Sequence, residues 1–168
     1  PDPDWAGVGP LRVLNEDRVA AGGGFAPHRH ANLEIISYLV QGALQHAESL
    51  GSGSIIRTGD VQVISAGSGI EHSEFNASQD ESVHFLQIWI QPDRINVTPR
   101  YTQQQFPPAQ REGVLRLVAS PDGVDGSLPI RQHARMYAGL LRAGQSSTHP
   151  MESTRRAWMQ WVRGAEGI

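Results

Sequence analysis

Between residues 11 and 91 the chain runs as short apolar bursts broken by turn residues, and each burst reads as one strand. Asn32–Val40 (NLEIISYLV) ends at a Gln41-Gly42 turn, and Ala43–Ser49 runs to a hairpin at Gly51-Ser52-Gly53. Ser54–Arg57 leads to a Gly59-Asp60 turn, and Val61–Ser65 enters the Gly-rich stretch 66–69. Ile70–Phe75 and Val83–Gln91 complete the set. Strands at such short, regular intervals predict a sandwich or barrel.

Beyond Gln91 the pattern loosens. Pro92, Pro99, Pro107 and Pro108 make Pro92–Gln110 read as a connector. A second β-rich stretch then begins with VLRLVAS and the turn Pro121-Asp122-Gly123, followed by Ile130–Ala134, Met136–Arg142 and Ala157–Arg163. This order loosely repeats the first half. It predicts two similar all-β domains, residues 1–110 and 111–168, the second a barrel that is cut off. With no Met before Pro1 and a strand-like run just before Ile168, both ends read as truncated.

Composition narrows the chemistry. Of 168 residues, 39% are hydrophobic and 18% charged, an ordinary globular balance. Net charge is −3 without a basic stripe, which argues against a nucleic-acid surface. No apolar run approaches the ~20 residues of a membrane-spanning helix, so a soluble, cytoplasmic chain is expected. There is no cysteine, and all 14 basic residues are Arg. Thiolate metal sites and lysine Schiff bases are therefore excluded, and any metal must be held by imidazole and oxygen.

Two dyads meet that requirement, His28-x-His30 and His72-x-Glu74. On a strand, residues i and i+2 share a face about 6.6 Å apart. Each dyad thus aims two donors one way, and strands lying opposite each other in a barrel would converge four ligands on one ion. Composition alone yields roughly 0.3 His-x-His pairs in such a chain; the pairing of two dyads beside Gly-rich turns is more informative than either alone. Three imidazoles and a carboxylate suit Fe, Mn, Ni, Cu or Zn. Glu34 shares parity with His28 and His30, so two carboxylates compete for the fourth place. His46 reads as lining the pocket or as a structural residue, and His84 as a satisfied core histidine. His133 and His149 fall in the second domain, expected to bind no metal, while Trp89, Trp158 and Trp161 read as packing residues.

The stretch GGGFAPHRHANLEIISYLVQGALQHAESLGSGSIIRTGDVQVISAGSGIEHSEFN resembles the signature of the pirin family, a branch of the cupin superfamily. The likeness covers residues 11–106, with RVLNEDRV before it and QIWIQP and TPRY after it; SPDGVDGSLPIRQHARMY resembles the opening of the pirin C-terminal cupin. The first cupin motif is nearly kept from Gly22 to Gly42. The second lacks its usual Pro and widens the interval from Gly59 to Gly69, while His72 and Asn76 keep their spacing.

The resemblance implies a bicupin of two jelly-roll barrels with one divalent transition metal, iron first, in the N-terminal barrel. It implies His28, His30, His72 and Glu74 as ligands, with Glu74 also acting as general base through a free oxygen. Glu34 and His46 would then stand near the metal or line its pocket. The activity implied is that of bacterial pirins resembling quercetin 2,3-dioxygenase, which open a flavonol ring with O2 and release carbon monoxide. The alternative is a metal-bearing regulatory protein that binds a partner. A monomer acting on a small aromatic substrate, without nucleic acid or membrane, completes the expectation.

Overall fold

The computed structural model describes residues 8–51 and 53–163. In chain order the strands are β1 (Leu11–Val19), β2 (Gly24–His30), β3 (Glu34–Gln41), β4 (Ala43–Glu48), β5 (Gly53–Arg57), β6 (Asp60–Ser65), β7 (Ile70–Asn76), β8 (Val83–Ile90), β9 (Arg100–Gln105), β10 (Arg116–Ser120), β11 (Leu128–Pro129) and β12 (Met136–Ala138). Five strands in the order β1-β8-β3-β6-β9 form one antiparallel sheet, and four in the order β2-β7-β4-β5 form a second. The two sheets make a jelly roll of the cupin type.

Period-two alternation decides what lies between the sheets. In β7 the even residues Ile70, His72, Glu74 and Asn76 are buried while Glu71 and Phe75 are exposed. In β4 Leu44, His46 and Glu48 are buried in the same way. Leu39, Leu44, Ile56, Val83 and Phe85 pack together in the core, and Ile35, Ile64, Ala66 and Ile70 form a second cluster. Each fully buried Leu, Ile, Val or Phe among them stabilises the fold by roughly 1.5–3 kcal/mol. The same interior also holds the buried polar residues His46, Gln62, His72 and Glu74.

The central strands of the five-stranded sheet are buried on both faces. On its other side Ile36, Val63, Leu86, Ile88 and Ile90 pack against Val118, Ala119, Leu128 and Ile130. Those last residues belong to or adjoin a three-stranded sheet ordered β11-β10-β12. This double burial explains why β6 and β8 read as nearly continuous apolar runs.

Three stretches differ from the expectation. The connector at 92–110 contains β9, which pairs with β6 along its whole length, from Asp60↔Gln105 to Ser65↔Arg100. Its prolines flank the strand rather than interrupt it, which is where an edge strand tolerates them. In the second half, pairing is shorter than expected: β11 has two residues and β12 three. Ala157–Arg163 forms no strand, and Trp158 and Trp161 stand exposed rather than packed in a core. Their apolar side chains mimic a strand pattern, but 157–163 is not assigned to any strand.

Candidate metal centre

The two dyads lie on adjacent strands of one sheet rather than on opposite walls. β2 pairs antiparallel with β7, and His28 stands directly across from His72. A β-bulge sets this register: Phe25 faces Glu74 and His28 faces His72, so three steps on β2 span two on β7. The extra residue at Ala26-Pro27 reverses the parity of β2 and re-aims its histidines. His28 Nδ1 then hydrogen-bonds the Ala26 carbonyl at 2.8 Å, which leaves Nε2 for the cavity.

The three rings meet closely, with centroids 4.4 Å apart for His28–His72, 4.9 Å for His28–His30 and 5.1 Å for His30–His72. One nitrogen from each comes within 4.8 Å of the others. His72 is buried, and neither of its ring nitrogens has a hydrogen-bond partner among the described residues. Burial, followed by the neighbouring His28, His30 and His46, pushes its pKa down to about 3. Burial and then His28 also lower His30. A buried ring with both nitrogens idle among the described residues, set between imidazoles converging from two strands, suits a transition metal.

Glu74 is held from the opposite sheet. Gln62 on β6 donates its amide to Oε1 at 2.7 Å, and Gln87 on β8 donates to Oε2 at 2.9 Å. The two amides are oriented in turn: Tyr101 on β9 donates its hydroxyl to the Gln62 oxygen at 3.2 Å, and Trp89 donates its indole N–H to the Gln87 oxygen at 2.9 Å. Each carboxylate oxygen thus already accepts one bond. A carboxylate offers about four lone-pair positions, so two remain. Burial raises the Glu74 pKa, and the two glutamine bonds counter that rise.

His46 lines the same cavity from β4. It lies across from Glu74, its ring stacks on Tyr101 at 4.6 Å, and His72 is 5.6 Å away. Both its nitrogens are buried without a partner among the described residues, and desolvation pushes its pKa down to about 4. Trp89 is not merely packing, because its ring meets His30 edge-on at 5.2 Å. His84 is the satisfied histidine expected, with Nε2 2.8 Å from the Glu16 carboxylate.

Glu34 does not reach this cavity, which corrects its expected place beside the metal. At Asn32, where φ is 53°, the chain leaves the four-stranded sheet, and β3 starts afresh in the other. Parity counted from His28 therefore does not carry through the turn. Glu34 faces the second half of the chain, where Oε2 accepts the Ser65 hydroxyl at 2.6 Å and the Arg131 backbone N–H at 3.1 Å. Gln62, Gln87 and Tyr101 were missed because isolated polar residues on strands carry no motif. Their only signal was parity: Gln62 and Gln87 interrupt apolar runs on strands otherwise fit for a core.

Residues 4–90 match the family model described as Pirin, and residues 117–168 match one described as Quercetinase C-terminal cupin domain. A protein of Escherichia coli K12 named quercetin 2,3-dioxygenase is 41% identical over 163 residues, 97% of this chain and 69% of that relative. A putative quercetin 2,3-dioxygenase of Pseudomonas aeruginosa is 46% identical over 165 residues, 98% of this chain and 71% of that one. Among solved structures, E. coli YhhW superposes with a TM-score of 0.77 at 43% identity, over 81% of this chain and 57% of that chain. The E. coli bacterial pirin YhhW in complex with nickel(II) gives 0.75 at 42% identity with the same coverage. The present chain thus spans little more than half the length of those solved chains.

Proposed function

The chain belongs to the pirin family, and from that premise we propose that its cavity binds one divalent transition metal and serves a quercetin 2,3-dioxygenase-type reaction on a flavonol-like substrate. His28, His30 and His72 would hold the ion, with Glu74 as fourth donor. The observation that carries the reading is the buried, partnerless His72 ring set between His28 and His30. Iron and nickel are the first candidates, nickel because the E. coli relative is described in complex with it.

A bound divalent metal supplies Lewis acidity that favours the flavonolate over the neutral 3-hydroxyl. The chain's own residues do the rest. Gln62 and Gln87 hold Glu74 so that its remaining lone pairs face the cavity, within reach of a proton released there. Trp89 and the half-buried His28 and His30 border the more open side, where a flat aromatic substrate would enter. Tyr101 and His46 close the inner side and exclude water. The reaction opens the heterocyclic ring, places both oxygen atoms of O2 in the products and releases carbon monoxide. The reading includes a metal-free second domain at 111–168 after the metal domain at 1–110, and a monomer in the cytoplasm.

The test is turnover of quercetin by the iron(II)- or nickel(II)-loaded chain, with and without oxygen. Flavonol loss should match oxygen uptake and carbon monoxide release, and His72→Ala should lower the rate by at least about a hundredfold. Flavonol loss without oxygen uptake, or undiminished turnover by His72→Ala, would sink the proposal.

A further inference from the structure

The cavity holds a second group of donors that the proposed reaction does not use as a group. His46, His72 and Glu74 each bring one ligating atom to within 4.8 Å of the others, and all three are buried. In the group His28, His30 and His72, by contrast, two members are only half-buried. The groups share His72, which stands between His28 on β2 and Glu48 on β4 in the strand register.

His46 is the unexplained member. It is 1% exposed, and neither ring nitrogen has a partner among the described residues. A buried polar atom without a partner normally marks strain or a ligand to be bound. Tyr101 lies parallel to the ring at 8°, so one face is covered and the nitrogen-bearing edge is left for the interior. Glu74 lies across from His46 and is held in place by Gln62 and Gln87, both from the far sheet.

We propose that the cavity offers a divalent metal ion two overlapping positions, occupied alternately: the outer one on His28, His30 and His72 with Glu74 as fourth donor, and an inner one on His46, His72 and Glu74. The proposal rests on the reading that the cavity binds a transition metal, and adds a place that the reading does not need. Single occupancy follows from charge. Two dications sharing His72 would face each other with Glu74 as the one carboxylate in either group, in an interior that screens poorly. Access separates the positions. The outer ion keeps an open side for an oxygen ligand, whereas the inner one is enclosed by Tyr101 and the tethered Glu74. Movement between them would switch the ion from a substrate-accessible state to a sheltered one.

Cobalt(II) titration of the whole chain tests this, read by bound metal after dialysis and by visible d–d absorption. His46→Leu removes only the inner position, His28→Ala with His30→Ala only the outer, and His72→Ala impairs both. The double variant should still bind cobalt, with affinity reduced by roughly a hundredfold but well above that of His72→Ala, and with a spectrum of its own. His46→Leu should simplify the wild-type spectrum to that of the outer position. The proposal is overturned if the folded double variant binds no better than His72→Ala, or if His46→Leu leaves the spectrum unchanged. Should the double variant unfold, the His46→Leu spectrum decides alone, since that residue belongs to no outer group. Failure of the wild-type chain to bind cobalt would defeat the metal reading itself, whereas loss confined to the double variant defeats only the inner position.

Discussion

His46 and His72 sit where burial makes protonation costly, with pKa values pushed down to about 4 and about 3. In the unfolded chain each would titrate at the ordinary histidine value, so the unfolded state takes up protons first as pH falls. The folded state keeps its full advantage above pH ~6.5 and loses it progressively as pH falls toward the folded values. Buried Glu74 acts in the opposite sense, because its raised pKa makes the folded state the better proton acceptor. A comparison between variants isolates the histidine. Metal-free wild type should lose stability relative to His46→Phe as pH drops from about 6.5 to about 4, with the difference level below that range. Thermal unfolding at a series of pH values measures it, and a pH-independent difference would contradict the low His46 value. At this scale the sequence was readable where residues came in dyads. It was not readable at Gln62 and Gln87, whose importance lies in which carboxylate faces them across the barrel.

Among the strands, the pairing of β2 with β7 builds the site. Gly24 begins β2 at the point of closest approach, where an added Cβ would run into the Glu74 carbonyl and the Phe75 side chain and backbone. Gly24→Ala must therefore push the strands apart beside Glu74, across the bulge from the His28–His72 pair. Backbone displacement of this kind costs about 1–3 kcal/mol, and the chain should melt about 2–4 °C lower for each kcal/mol lost. Metal affinity should fall with it, although Gly24 itself supplies no donor. Calorimetric melting with metal titration checks both; an unchanged affinity would mean that the ligand geometry does not depend on this contact. Strand existence was largely legible from alternation. The bulge at Ala26-Pro27 was not, because nothing local distinguishes an extra residue from a regular one until β7 lies beside it. β9 was hidden by the prolines around it, although RYTQQQ has the polar, Thr- and Tyr-bearing character of an edge strand.

For the molecule as a whole, Glu34 links the two halves rather than serving the metal. Its carboxylate takes the Ser65 hydroxyl from the same sheet and the Arg131 amide from the second half. Glu34→Gln should weaken this joint by about 1–2 kcal/mol. Hydrogen exchange should then quicken in the Ile130–Met136 segment while metal stoichiometry stays unchanged. Loss of metal would return Glu34 to the site.

The sequence by itself determined the fold class, the family and the two candidate dyads, because alternation, turn residues and short motifs are local properties of the chain. It also determined by elimination that only imidazole and oxygen donors are available. Tertiary structure alone decided that the dyads are neighbours on one sheet, that Glu34 faces away, that His46 and Trp89 border the cavity, and that two glutamines from the far sheet hold Glu74. Each of these depends on which strand lies beside or across from which. That is set by long-range pairing and by the turn at Asn32, and no window along the chain contains both partners.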